Sequence, residues 1–174
     1  HRGIDVARAA NFDRVIAATG STSEDAAQKI YKLPETALLD MGDFAGGVLK
    51  YLRIHPIPNL TIAGGFAKLV KLAQGALDLH SGRSQVDFEW LAKQSNALME
   101  KHHNKPLNQS LKNQILNANT AAEVLELTQG LQIHLPQFIA EKALETSNST
   151  LRDAPIKVEI IVIDRQGKVL AHAQ

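Results

Sequence analysis

Compact apolar segments alternate with segments of helical periodicity over the first half of the chain. Three of the compact segments, "RVIAATG", "TALLDMG" and "NLTIAGG", end in glycine and are typical of short buried strands. Each is followed by apolar residues at helical spacing, which after the third segment are Phe66, Leu69, Val70, Ala73 and Leu77. Three consecutive strand-to-helix units predict a parallel sheet with right-handed crossovers and helices on both faces.

The second half of the chain predicts a group of helices followed by strands. From residue 86 to about residue 147 the spacing is helical, interrupted by "HHNKP", "NANT" and "GLQIHLP". The segment "VEIIVI" is rich in β-branched residues and fits a central strand, after which Gln166 and Gly167 turn the chain toward a short antiparallel partner. We therefore expect one Rossmann-like α/β domain over residues 1–174, with a mostly parallel sheet.

The composition excludes several classes of protein. A chain of 174 residues with 44% hydrophobic composition can bury one core. Its 19 Lys plus Arg balance 18 Asp plus Glu, so the net charge of +1 gives no general attraction to nucleic acid or to an anionic membrane. The absence of cysteine excludes disulfides and thiolate metal sites, and no apolar run is long enough to span a membrane. We expect a cytoplasmic protein.

The loop after the first predicted strand is the first candidate binding site. In an open parallel sheet, ligands bind beyond the carboxyl ends of the strands. This loop offers backbone N–H groups and hydroxyls at a predicted helix N-terminus, which suits an anion or the polar part of a nucleotide, and its residues are Thr19, Gly20, Ser21, Thr22 and Ser23. The alternative is helix capping alone, with Ser21 as the N-cap and Glu24 completing a capping box.

Gly42 and Asp43 follow the second predicted strand and form another candidate. Asp43 comes 23 residues after Gly20, close to where a dinucleotide-binding fold places the acidic residue that accepts ribose hydroxyls. Gly42 would let the backbone pass close to a ligand. The alternative is that Asp43 only caps the next helix.

A short basic segment runs from Lys68 to Arg83. Lys68 and Lys71 are three residues apart, so their ammonium groups are expected to share one face of a helix that ends near Gly75. The polar cluster that follows contains His80, Ser81 and Arg83. A guanidinium can bind a carboxylate with two hydrogen bonds and an imidazole can exchange a proton, so the cluster suits a substrate with several carboxylates. The alternative is a solvated basic face with Arg83 paired to Asp87.

The histidines do not predict a metal site. His102 and His103 are adjacent, so on a helix their side chains diverge by about 100° and cannot easily chelate one ion. With Lys101 they are typical of a helix C-terminus, where positive charge is favourable.

Three motifs give the chain a resemblance to a known family. The segments "ATGSTSE", "MGDFAGGVLKY" and "KLVKLAQGALDLHSGRSQVDFEWLA" occur in the order found in the carboxyl-terminal domain of CbiD, the cobalt-precorrin-5B methyltransferase family of the anaerobic cobalamin pathway. The resemblance covers Arg2 to about Leu98, and the terminal "VEIIVIDRQGKVL" is similar to the family's last strands. Ala67 stands where family members commonly have glycine, which leaves less room for a ligand to approach the backbone.

The resemblance implies an activity for these residues. Family members transfer a methyl group from S-adenosylmethionine to C-1 of the tetrapyrrole cobalt-precorrin-5B. By this resemblance the Thr19 to Ser23 loop, Gly42 and Asp43 would bind the donor. The substrate's carboxylates would be bound by Lys68, Lys71, Ser81 and Arg83, and His80 would exchange a proton with it.

The resemblance also implies a partner. The family's amino-terminal domain, with its Thr-Thr-Gly motif, is absent from this sequence, so we expect the carboxyl-terminal domain of a longer two-domain enzyme. The alternative function is noncatalytic. It is either a small-anion or nucleotide-binding domain, or an assembly module that pairs with the missing domain or with a second copy in a homo-oligomer.

Overall fold

Five strands form one open sheet. The computed structural model describes residues 1–174, and its strands are β1 (Arg14–Ala18), β2 (Leu38–Asp40), β3 (Asn59–Gly65), β4 (Lys157–Ile163) and β5 (Val169–Ala173). Their order is β2-β1-β3-β4-β5, with parallel pairing throughout except that β5 runs antiparallel to β4. The predicted class, an α/β fold with a mostly parallel sheet and an antiparallel C-terminal strand, is confirmed.

Eight α-helices flank the sheet, and they divide unevenly between its faces. Helix α2 packs on β1, β3 and β4 over a cluster of six buried residues, whereas the opposite face carries a core of 37. Two 3₁₀ turns lie at Glu35–Ala37 and Gln129–Leu131. The helices are α1 (Arg2–Ala9), α2 (Ser21–Tyr31), α3 (Ala45–Ile54), α4 (Phe66–Ala73), α5 (Phe88–His103), α6 (Gln109–Leu116), α7 (Ala121–Thr128) and α8 (Leu135–Leu151).

The central strands are buried on both sides, which explains their nearly continuous apolar sequence. In β3, Leu60 and Ile62 are fully buried, and in β4 Ile160 and Val162 are as well. Each such side chain contributes roughly 1.5 to 3 kcal/mol when it is removed from water. The strands predicted from short apolar segments therefore form because both of their faces are covered by helices.

The strand order creates a switch point between β1 and β3. From β1 the chain crosses by α2 to β2 on one side, and it returns by α3 to β3 on the other side. The two crossovers lie on opposite faces, so a crevice opens beyond the carboxyl ends of β1 and β3. Thr19 donates its backbone N–H to the carbonyl of Ala63 at 3.0 Å, which places the first residue after β1 at this crevice.

Two predicted helix caps are wrong. Ser21 is the first residue of α2 and Gly20 is its N-cap, while the Ser23 hydroxyl donates to the Gly20 carbonyl at 2.7 Å, so no capping box forms. Phe44, not Asp43, is the N-cap of α3. The predicted end of α4 near Gly75 is confirmed, since the helix ends at Ala73 and Gly75 adopts a left-handed φ of 92°; Leu77, which continued the helical spacing, therefore lies beyond the helix.

Candidate functional site

A cavity of about 890 Å³ opens at the carboxyl ends of β1, β3 and β4. Its floor includes Thr19, Gly65 and Ile163, which end or follow these strands. Its remaining walls come from α4, from α7 with the start of α8, and from the turn between β4 and β5. The charged or titratable residues along the lining are Lys68, Glu126, His134, Asp164 and Arg165. The cavity therefore offers an apolar interior with groups of both charges at its edge.

Lys68 connects two of the predicted binding loops. Its ammonium donates to the carbonyl of Thr19 at 2.6 Å and lies 3.0 Å from Oδ1 of Asp43. Oδ1 is buried and has no well-directed hydrogen bond, so its contact with Lys68 is an ion pair of poor alignment. Thr19, Asp43 and Lys68, predicted from three separate loops, are thus brought together at the switch point.

Lys71 does not share a solvent-exposed face with Lys68. Its side chain turns inward, the residue is only 8% exposed, and its ammonium donates to the carbonyl of Leu79 at 2.8 Å. The expectation that both ammonium groups face the same way is wrong, because Lys71 satisfies a carbonyl of the following loop. Lys71 supports the loop that carries His80 from below.

His80, Ser81 and Arg83 lie in a tight turn outside the cavity. The backbone N–H groups of Arg83 and Ser84 both donate to the carbonyl of His80 at 2.9 Å, and Nδ1 of His80 accepts from the Gly82 N–H at 3.1 Å. Arg83 is paired with Asp78 at 3.6 Å rather than with Asp87, and three quarters of its side chain is exposed. Asp87 instead caps α5 by accepting from the Trp90 N–H.

The turn and the loop after β2 form one unit. The N–H of Leu79 donates to the carbonyl of Asp43, and the N–H of Gly46 donates to the carbonyl of Leu77, both at 2.8 Å. A Cβ at Gly46 would lie 2.8 Å from Cβ of Leu77, so only glycine fits this contact without movement. The two loops therefore hold a fixed relative position.

The remaining residues that were predicted to bind the methyl donor lie beside the cavity without lining it. Gly42 has a left-handed φ of 54°, and its N–H donates to the carbonyl of Ala18 at 3.1 Å. This bond holds the second loop against the end of β1. Thr22 lies close to Gly167 of the β4–β5 turn, while Gly20 and Ser21 are exposed at the start of α2.

Several cavity residues were missed by the sequence analysis. Gln132 and His134 both adopt left-handed φ angles, 53° and 51°, in the turn between α7 and α8, and both line the cavity. Non-glycine residues rarely adopt this conformation, and such strain concentrates at functional sites. Pro136 marks the helix start in "QIHLP", but nothing in that segment indicates that it faces the ends of the strands.

A second polar cluster surrounds Glu159 on the face of the sheet covered by α2. Its buried carboxylate accepts hydrogen bonds from Thr61 at 2.6 Å and from Tyr31, and it contacts His172 at 2.6 Å and Arg14 at 3.3 Å. Burial alone would raise the pKa of Glu159, but the bonds from Thr61 and Tyr31 and the charge of His172 outweigh it and lower that pKa below its ordinary value. A glutamate inside the apolar "VEIIVI" is the sequence signal for such a cluster, because a buried charge needs partners.

Tyr31 responds in the opposite direction. Burial is the main cause of a raised pKa for its phenol, and the hydrogen bond to the Glu159 carboxylate and the negative charge of that group add to the effect. The phenol therefore remains a donor to Glu159. The guanidinium of Arg14 lies 4.5 Å from the centre of the Tyr31 ring, and this contact completes the cluster.

Two kinds of arrangement are absent from the structure, a cluster of metal-ligating side chains and a membrane-spanning helix. No group of three or more histidine, aspartate or glutamate side chains is placed to hold a metal ion. No helix has both the length and the apolar character needed to cross a bilayer.

The structure is an α/β domain whose candidate ligand site is a cavity at the switch point of a mostly parallel sheet. Residues 78–174 match the model of a protein family described as "CbiD, C-terminal domain". The chain belongs to the CbiD family. No solved structure matches it significantly.

Curated relatives align with nearly the whole chain. It is 64% identical over 174 residues to a protein of Brucella anthropi named cobalt-precorrin-5B C(1)-methyltransferase, and 62% identical to proteins of the same name from Brucella ovis and Brucella canis. Each alignment covers 98% of this chain and 45% of the relative. The chain therefore spans less than half the length of these relatives.

Proposed function

We propose that the full-length protein is a methyltransferase of anaerobic cobalamin biosynthesis that acts at C-1 of cobalt-precorrin-5B in the cytoplasm, with S-adenosylmethionine as donor. Family membership and the names of the relatives support the reaction and the substrate. Because the chain spans 45% of those relatives, the rest of the full-length protein would complete the substrate site.

The cavity at the switch point is the observation that carries the donor assignment. Its volume of about 890 Å³ lies within the usual range for small-molecule sites, roughly 300 to 1,000 Å³. Its lining suits the parts of S-adenosylmethionine. Phe66 and Leu125 offer apolar contact for adenine, Glu126 can accept the ribose hydroxyls, and Lys68 and Arg165 can bind the carboxylate of the methionine part.

The protein's contribution to the reaction is positioning. When bound, S-adenosylmethionine supplies a methyl group whose C–S bond breaks with its electrons left on sulfur, while C-1 of the substrate supplies the pair for the new C–C bond. Lys68 fixes Thr19 and Asp43 at the cavity rim, so the loops that would hold donor and substrate keep one relative geometry. We propose that His80 exchanges a proton with the substrate and that Arg83 and Ser81 bind its carboxylates. Lys71 supports their turn from below.

Calorimetric titration of S-adenosylhomocysteine into the full-length protein tests the donor site. We expect binding, and we expect Lys68→Ala to weaken it about 10-fold or more, as for loss of a charge-assisted hydrogen bond. The control is Lys142→Ala, whose ammonium pairs with Glu145 on the surface of α8. An absence of heat at millimolar ligand, or an equal effect of both substitutions, would contradict the assignment.

A further inference from the structure

Phe44 contradicts the local preferences of its position. It is the N-cap of α3, where serine, threonine, aspartate and asparagine are preferred, and it makes no side-chain cap bond. Its side chain is also exposed, at 67%. A single exposed apolar residue is ordinary on a protein surface, so its meaning depends on what surrounds it. Phenylalanine is unfavourable both as an N-cap residue and as a solvent-exposed side chain, and this combination indicates that Phe44 serves function and not folding.

The backbone places Phe44 beside the His80 turn. Asp43 and Leu79 are joined by a hydrogen bond of 2.8 Å, and Phe44 and His80 each follow one member of this pair. The Gly46 contact with Leu77 and the buried ammonium of Lys71 below Leu79 keep the two loops in register. Phe44 and His80 are both exposed, so Phe44 and the polar turn are neighbours on the surface.

The same surface adjoins the cavity. The carboxylate of Asp43 is 3.0 Å from the ammonium of Lys68, and Lys68 lines the cavity. Phe44 is the residue after Asp43, so an exposed aromatic ring lies next to the rim of the proposed donor site. A flat molecule that rests on this ring would have one edge at the cavity opening.

We propose that Phe44 is a substrate-binding residue whose ring contacts the flat apolar face of the tetrapyrrole, while Arg83 binds a carboxylate at the rim of the macrocycle. This inference rests on the proposed function and adds a residue to it. Macrocycle and surface are complementary, because each joins an apolar face to charged groups at the edge.

The charges on this surface allow Arg83 to exchange its present partner for a carboxylate of the substrate. Arg83 is paired with Asp78 at 3.6 Å, and the pair is exposed and therefore weak. A substrate carboxylate can take the place of Asp78 on the guanidinium. The second acidic group of the surface, Asp43, is held by Lys68 and is only 24% exposed, so it offers little repulsion to an anionic substrate.

The test uses the full-length protein and the cobalt complex of uroporphyrin, a tetrapyrrole polycarboxylate, with binding followed by the shift of its absorbance. We expect Phe44→Ala to weaken binding about 2- to 15-fold, the usual range for loss of an aromatic contact, and Phe44→Trp to retain it. Binding of S-adenosylhomocysteine and the melting temperature should not change. The matched control is Ile54→Ala, since Ile54 is equally exposed, at 68%, at the other end of α3.

Turnover separates this inference from the proposed function. With cobalt-precorrin-5B as substrate, Phe44→Ala should raise KM and leave kcat nearly unchanged, because the contact is made in substrate and transition state alike. If the wild-type protein turns over and Phe44→Ala matches it in KM and in probe binding, this inference fails alone. If the wild-type protein binds the donor and the substrate but transfers no methyl group, the proposed function fails, and with it the premise of this inference.

Discussion

The ammonium of Lys71 lies 2.8 Å from the carbonyl oxygen of Leu79, at the base of the turn that carries His80 and Arg83. Lys71 is only 8% exposed, so this contact is made away from solvent. A buried ammonium needs such a partner, and a buried carbonyl needs such a donor. In this basic segment the Lys71 side chain therefore stabilises the fold, and only Lys68 and Arg83 keep a positive charge that a ligand can reach.

Lys71→Met should lower the free energy of unfolding by about 1 to 3 kcal/mol, because the carbonyl of Leu79 loses its buried donor. Methionine retains the apolar part of the side chain, so the change in the free energy of unfolding measures the contribution of the ammonium group. Urea denaturation measures it, with Lys142→Met as the exposed control, for which we expect at most about 0.5 kcal/mol. Equal effects of the two substitutions would show that the Lys71 contact does not stabilise the fold.

Gly64→Ala should destabilise the protein and disturb the switch point. A Cβ at this position would lie 2.9 Å from Cγ2 of Thr19 and 3.1 Å from Cγ of Leu69, so either the loop or the helix must move. Overpacking of this kind typically costs about 1 to 3 kcal/mol. Gly65→Ala is the matched control for stability, because nothing lies within 4 Å of a Cβ there. Thermal unfolding of both variants decides between a steric effect at Gly64 and a general need for glycine.

Arg83→Ala should leave stability almost unchanged and weaken substrate binding about 10- to 150-fold, as expected for loss of a charge-assisted contact. The guanidinium is mostly exposed and its pair with Asp78 is long, at 3.6 Å, so the fold loses little. His80→Gln should lower turnover by about 100-fold or more if the imidazole exchanges a proton. Normal binding and turnover by both variants of the full-length protein would exclude this turn from the site.

Acidification should remove stability through Glu159. The pKa of its carboxyl is lower in the folded protein than its ordinary value of 4.5, so the folded state binds this proton less readily than the unfolded state. Its contribution is present above about pH 4.5 and is lost as the pH falls through the folded pKa. Glu159→Gln should therefore be less stable than wild type by about 1 to 3 kcal/mol at neutral pH.

The difference between wild type and Glu159→Gln isolates this carboxyl from the others in the chain. Unfolding free energies measured between pH 3 and pH 7 should show the two proteins converging at the acidic end. A constant difference across that range would mean that the charge of Glu159 contributes nothing and that packing alone accounts for the cost.

The strands were predictable because their signal is local. The first three strands are short apolar segments ending near glycine, and the order of strand and helix units restricts the sheet to few arrangements. Local sequence alone also indicated that Asp43 is an ordinary helix cap. Its actual partner, Lys68, belongs to the next strand-to-helix unit, and no periodicity connects the two.

The far wall of the cavity could not be predicted for a related reason. Gln132 and His134 face the strand ends because α8 packs on β4 and β5 and α7 packs on α4, which depends on contacts across the whole chain. The spacing of Lys68 and Lys71 correctly placed both residues on α4 but wrongly indicated that their ammonium groups face the same way. It could not indicate that the loop after the helix would return its Leu79 carbonyl to one of the two ammonium groups.

The order of strands also bears on how the chain folds. Thr61 of β3 bonds to Glu159 of β4 across a sequence separation of 98 residues, so the middle of the sheet is joined by the longest crossover in the chain. Contacts of such range slow folding, because the entropy of closing the loop is lost before the contact is gained. During synthesis, one edge of β3 stays open until β4 has emerged from the ribosome. The floor of the cavity is thus completed late, when the last two strands join the sheet.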